Sequence, residues 1–264
     1  MPPAAPGSVP LDDRGLLLAD GLFETVLYAR GALVLAGEHA ERMAAGAQVL
    51  GLPAPSLEAF SACALASVRL AGLETGRAAV RVTLTAGSGG RGLDRPTELR
   101  PRLFATAATP APSRGPALLV ISSVRRNQAS PASRLKTLAY LDNVLARREA
   151  AAAGADEAVM LNTVGEVACA AAANLFWLRG EVLFTPAIEA GRLDGIMARR
   201  VVAAAVELGI EIRQVRDGAG ALEAADALFL TNSLIGVRPA HLLGGGAGEH
   251  RLVQRLAQAV SAWS

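Results

Sequence analysis

The sequence predicts an α+β protein built from two domains. Three observations point there. Short alternating strands recur between amphipathic helical stretches, beginning with a hairpin. The length, 264 residues with 52% apolar side chains, suits two modest domains or one large one with a substantial core. The run Thr109-Pro110-Ala111-Pro112-Ser113-Arg114-Gly115-Pro116 has the proline and glycine content of a linker. The expected organisation is a loose tail over 1–10, a small α+β domain over 11–109, a linker over 110–116 and a larger α+β domain over 117–264.

In the first half, Leu11 to Ala19 leads into Asp20-Gly21-Leu22-Phe23-Glu24-Thr25-Val26-Leu27-Tyr28, which alternates like a strand from Phe23 onward. Arg30-Gly31 reads as a turn into a second strand, Ala32 to Leu35. Glu38 to Leu50 reads as a helix with Met43, Ala47 and Leu50 on one face, and His39 and Arg42 one turn apart. A second helix over Ser56–Ala71 has Ser56 as its cap and Gly72 as its stop. Ala78 to Ala86 is a strand with Val80, Val82 and Leu84 on one face. It runs into Gly87-Ser88-Gly89-Gly90-Arg91-Gly92. These residues contain GxGxxG, but Pro96 and Pro101 follow where the dinucleotide fingerprint needs a helix, so that function is rejected. The remaining readings are a flexible loop or a loop that places Arg91 over a pocket. Leu103 to Ala107 is the last strand of this half.

The second half opens with a buried strand, Leu118 to Val124, and a polar loop to Lys136. A helix follows over Leu141–Ala153, stopped by Gly154. Strands are expected at Ala158–Asn162, Gly165–Ala168, Asn174–Leu178 and Val182–Pro186. Gly191-Arg192-Leu193-Asp194-Gly195-Ile196-Met197 opens a helix through Leu208, whose first-turn N–H groups are suited to a phosphate. Next come a strand over Ile210–Val215, a short helix over Gly220–Ala224 and a strand over Ala227–Thr231 with Asn232-Ser233 at its end. Val237 and His241-Leu242-Leu243 suggest a last strand pair, and Glu249 to Trp263 a closing amphipathic helix.

Composition excludes several classes. Net charge is +2 with no block of like charge, which gives no support to nucleic-acid or membrane-surface binding. Cys63 and Cys169 lie far apart and form no metal-type pair, and no metal is expected. With no signal peptide and no spanning apolar run, the expected location is the cytoplasm.

One residue type stands out. Lys136 is the single lysine among 26 basic residues. A solvated charge is served by either residue, so this lysine is either a chance survivor of a strong arginine bias or a position that rejects arginine. Amine chemistry gives a reason: a guanidinium stays protonated and forms no imine, whereas a lysine amine can lose its proton and attack a carbonyl.

Several motifs in order resemble the fold-type IV pyridoxal phosphate enzymes, which include branched-chain and D-amino acid aminotransferases and aminodeoxychorismate lyase. The motifs are Asp20-Gly21-Leu22-Phe23-Glu24, His39-Ala40-Glu41-Arg42-Met43, the segment from Lys136 to Glu149, Asn174-Leu175-Phe176, Thr185-Pro186 and Gly195-Ile196-Met197. The resemblance runs from about Asp12 to His241. It implies a two-domain α+β fold like that of D-amino acid aminotransferase, with pyridoxal 5′-phosphate as cofactor, a small-molecule substrate and a homodimer. It makes Lys136 the cofactor lysine. Arg42, the N–H groups of Ile196 and Met197 and the Ser233 hydroxyl would bind the phosphate. Within the family the glycine loop and Thr231-Asn232-Ser233-Leu234-Ile235-Gly236-Val237-Arg238-Pro239 look most like the lyase, with Arg91 and Asn232 as candidates for substrate carboxylates.

There is one departure. The family has a glutamate five residues before the asparagine of Asn-Leu-Phe, paired with the pyridine nitrogen of the cofactor. Here that position is Cys169, and the nearest acid is Glu166. A thiol is a weak partner for a pyridinium, so the electron sink weakens. Elimination, which expels a leaving group as the proton departs, tolerates this better than transamination. The expected function is therefore aminodeoxychorismate lyase-like β-elimination, with an aminotransferase or a catalytically impaired relative as alternatives.

Overall fold

The computed structural model describes residues 8–112, 115–245 and 250–261. Part of the expected tail, residues 113 and 114 of the expected linker, and Glu249 and Trp263 of the expected closing helix lie outside them. The chain divides into two units: residues through Pro110 with Lys136–Ala139, and Ala111–Leu135 with Tyr140 onward.

The first unit is a four-stranded antiparallel sheet with helices. Its elements are α1 (Arg14–Leu18), β1 (Gly21–Ala29), β2 (Ala32–Leu33), α2 (Ala36–Val49), α3 (Leu57–Leu70), β3 (Ala78–Thr85) and β4 (Arg102–Ala108), with strand order β2-β1-β3-β4. α1 was not expected; Asp13 caps it, accepting from the Gly15 N–H at 2.8 Å. β2 is shorter than expected and pairs only with Tyr28 and Ala29. The other end of the same β1 edge is therefore open, and it takes residues 136–138. The Phe23 N–H donates to the Lys136 carbonyl at 2.9 Å and the Leu138 N–H to the Gly21 carbonyl at 3.1 Å. That edge pairing places the lysine segment, expected with the second half, in the first unit. β1 is buried on both faces. The helix over 57–70 has the Ser56 cap expected, with its hydroxyl accepting from Ala59 N–H at 3.1 Å.

The second unit carries an eight-stranded mixed sheet. Its elements are β5 (Ala117–Ile121), α4 (Leu141–Ala152), β6 (Glu157–Leu161), β7 (Val167–Ala170), β8 (Asn174–Arg179), β9 (Val182–Pro186), α5 (Ile196–Glu207), β10 (Ile212–Val215), α6 (Gly220–Glu223), β11 (Ala227–Asn232), β12 (Gly236–Leu242) and α7 (Arg251–Ser261). The order is β10-β9-β8-β11-β12-β5-β6-β7. α5 and α7 cover one face, where Phe176 and Phe229 stack at 5.0 Å between centroids, paired across β8 and β11. α6 closes the other face over Leu175, Trp177 and Leu228. α4 packs Ala146 and Ala150 against β6 and β7.

Two expectations change. The last strand pair is one strand, β12. Pro239 lies within it and precedes the point, Ala240, where pairing with β5 begins, so its missing N–H interrupts no ladder there. The helix expected from Gly191 starts only at Ile196. A 3₁₀ turn over Ile188–Ala190 and an irregular stretch precede it.

Candidate active site

In the first unit the burial of β1 aims Glu24 inward, and α2 presents His39 and Arg42 to it. Glu24 is 1% exposed. Its carboxylate accepts from Arg42 Nε at 2.7 Å and Nη2 at 2.6 Å, and meets His39 Nδ1 at 2.7 Å. Burial alone would raise this carboxyl. The charge and hydrogen bonds of Arg42, with the His39 contact, outweigh it and hold the carboxyl at about 2. The carboxylate thus fixes the Nε–Nη2 edge of Arg42. His39 Nε2 is buried without a partner among the described residues. Sequence reasoning quoted Glu24 and His39 in motifs but gave them no role. The signal was a charge inside an apolar strand.

Lys136 is half-buried, with its ammonium 4.4 Å from the centre of the Phe23 ring. The Arg81 guanidinium lies on the same ring at 3.6 Å. Arg91 is exposed on the glycine loop, and its backbone exchanges hydrogen bonds with Asp94 at 3.1 Å.

In the second unit, Ile196 and Met197 form the first turn of α5. Gly195 is its N-cap, so no side chain caps the helix, and no acid lies in the first turn. Asn174 explains the glycine: a Cβ on Gly195 would lie 1.9 Å from Asn174 Oδ1. The Asn174 amide also donates to the Leu193 carbonyl at 2.9 Å, fixing the entry to the helix. Thr231 pairs with Asn174 across β8 and β11, and its hydroxyl is buried with no partner among the described residues. Ser233 follows, half-buried. Asn232 is committed elsewhere. Its amide donates to the Ala172 carbonyl at 3.0 Å, and its oxygen accepts from Leu234 and Ile235 N–H at 2.9 and 3.1 Å. That side chain shapes a turn.

Cys169 lies on β7 opposite Met160, in an alanine-rich cluster with α4. Burial pushes its thiol up, against the opposing pull of Arg126. Glu166 is engaged with other partners. Its carboxylate accepts from Asn162 Nδ2 at 2.7 Å and pairs with Arg216 at 3.0 Å. The Asn162 hydrogen bond and then Arg216, against some desolvation, hold that carboxyl low. Arg126, which sequence reasoning passed over, donates to the Gly191 and Ser133 carbonyls and so ties the loop before α5 to the loop before Lys136.

Residues 21–243 match the family described as amino-transferase class IV. The chain belongs to the class IV aminotransferase family. It is 30% identical over 239 residues to the aminodeoxychorismate lyase of Bacillus subtilis, covering 86% of this chain and 78% of that one. The branched-chain aminotransferase of Thermoproteus uzoniensis, solved with norvaline, superposes with a TM-score of 0.88 at 26% identity, covering 97% of this chain and 89% of that one. The PLP-bound form of a hypothetical aminotransferase from Mycobacterium tuberculosis shares the fold, with a TM-score of 0.84 at 20% identity over 99% of this chain and 94% of that one. The α+β expectation therefore holds, and the cofactor of the family is pyridoxal 5′-phosphate.

The residues present fit that cofactor unevenly. An uncapped helix start beside a buried, unpartnered Thr231 hydroxyl is a donor set suited to a phosphate. At the position that the resemblance assigns to the ring-nitrogen carboxylate stands the buried thiol of Cys169.

Proposed function

We propose that this class IV enzyme is a lyase acting on 4-amino-4-deoxychorismate, releasing pyruvate and leaving 4-aminobenzoate. The observation that carries the choice of elimination is the burial of the Cys169 thiol in an alanine-rich cluster, with Glu166 held on Asn162 and Arg216. When bound, pyridoxal 5′-phosphate draws electrons away from the carbon that bears the substrate amine. Lys136 would hold the cofactor, and its amine would be the base that takes the proton from that carbon. The neighbouring C–O bond breaks, enolpyruvate leaves and takes a proton as pyruvate, and the ring becomes aromatic. That aromaticity supplies driving force which a weak electron sink does not. Arg42, held by Glu24, the N–H groups of Ile196 and Met197 and the Ser233 hydroxyl take the phosphate. Arg91 meets a substrate carboxylate. The working form is a cytoplasmic homodimer.

The test is the visible spectrum of the purified protein with pyridoxal 5′-phosphate, before and after adding 4-amino-4-deoxychorismate, with pyruvate assayed in the same cuvette. A cofactor band and pyruvate are expected, both lost in Lys136→Ala. A band without pyruvate, but with pyridoxamine phosphate formed from an amino acid, supports the second reading, an aminotransferase. The 26% identity to the Thermoproteus enzyme favours that alternative. A band with neither product makes the chain a catalytically impaired relative.

A further inference from the structure

The glycine loop after β3 is built around a buried arginine that no motif includes. Arg14, the first residue of α1, is 5% exposed. Its Nε donates to Asp20 at 2.9 Å. Its Nη1 donates to the carbonyls of Gly89, Gly92 and Asp94 at 3.4, 3.3 and 3.1 Å, and its Nη2 to that of Leu93 at 3.0 Å. One guanidinium thus gathers the inner carbonyls of the whole loop. Asp20 balances its charge and is held in turn by Arg95, whose Nε donates to it at 2.9 Å. The loop's first residue is tied as well, since the Arg14 N–H donates to the Gly87 carbonyl at 2.8 Å. Glycine is required by this closeness. Gly87 and Gly90 have φ of +79° and +82°, and a Cβ would lie 1.9 Å from the Arg100 carbonyl oxygen at the first and 2.1 Å from the Asp94 carbonyl oxygen at the second.

Taking a guanidinium out of water to order a surface loop costs free energy unless every donor is matched. What the loop offers in return is Arg91. It is exposed, and no hydrogen bond or ion pair of its side chain is found among the described residues. A cation on a fixed loop binds an anion without the cost of ordering the loop at that moment.

We propose that Arg14 is a positioning residue: it presets the loop over 87–95 so that Arg91 meets a carboxylate of the substrate. This rests on the carboxylate role given to Arg91 above and adds that the loop is set before binding rather than closing on the ligand.

The test uses full-length holoenzyme, with 4-aminobenzoate as the carboxylate probe read by calorimetry, KM and kcat for 4-amino-4-deoxychorismate, and hydrogen exchange of the amides over 89–95. Arg91→Gln should weaken the probe and raise KM by about tenfold, the loss of one charged hydrogen bond, without changing exchange. Arg14→Gln should raise KM by a factor of about three to ten through misplacement, with kcat within about twofold, the cofactor band unchanged and exchange over 89–95 faster. Gly87→Ala, whose Cβ would meet the Arg100 carbonyl rather than the Arg14 side chain, strains the same loop, should give the same split and serves if Arg14→Gln does not fold. Faster exchange with unchanged KM and probe affinity would make Arg14 merely structural. Fast exchange over 89–95 in the wild type, or a wild type that does not bind the probe, would overturn the proposal. A wild type that binds the probe through Arg91 but makes no pyruvate would remove the lyase reading and leave the positioning role standing.

Discussion

At the scale of single residues, the Glu24 carboxylate has the largest electrostatic consequence. Its carboxyl sits at about 2 against an ordinary 4.5. A depressed carboxyl stabilises the fold above the ordinary value, and that stability is lost as pH falls from about 4.5 to about 2. A shift of this size corresponds to about 3 kcal/mol. Glu24→Gln should therefore lower stability at pH 7 by that order and flatten the acid limb in urea melts run across pH, whereas an unchanged limb would contradict the Glu24–Arg42–His39 assignment. Cys169 carries the chemical prediction. Cys169→Glu restores a carboxylate and should raise the yield of pyridoxamine phosphate from an amino donor relative to pyruvate release, read as the ratio of the two products. The oddity of Cys169 is legible in sequence because a strong motif surrounds it. That Glu166 pairs with Arg216 is not legible, because that partner lies 50 residues away.

At the scale of elements, the helix start at α5 depends on one missing methyl group. Gly195→Ala would drive a Cβ into Asn174 Oδ1. It should cost about 1–3 kcal/mol as overpacking and weaken pyridoxal phosphate binding, both measurable by melts with and without cofactor. Asn174→Ala in the same chain should recover part of the stability by removing the clash. A double mutant no better than the single one would place the strain elsewhere. Helices with strong local signals were legible: Ser56 and Gly72 bracket α3 because caps act over one turn. The late start of α5 was not, because Gly191 and Gly195 are equally good punctuation in sequence and only Asn174, from another strand, decides between them. β12 was misread for a similar reason. Val237 and His241-Leu242-Leu243 read as separate strands, and only the pairing with β11 and β5 joins them into one.

At the scale of the whole molecule, the predicted assembly is a homodimer. Sedimentation velocity should give twice the chain mass, and a monomer at working concentration would contradict it. No described helix is long and apolar enough to cross a membrane. The division into units departs from a cut at the proline-rich run in one respect, since Lys136–Ala139 packs with the first unit. Sequence order could not show this, because it depends on how little of the β1 edge β2 covers.

The sequence by itself determined the class: the α+β order of elements, the singular Lys136 and the motifs of a pyridoxal phosphate family are local patterns, and local patterns survive without coordinates. Only the tertiary structure decided which charges meet. Glu24 with Arg42, Arg14 with the carbonyls of a loop 75 to 80 residues away, and Asn174 against Gly195 are contacts between separate elements. Their physical basis is burial: a charge or a polar group taken from water must find its partner in space, wherever the chain has placed it.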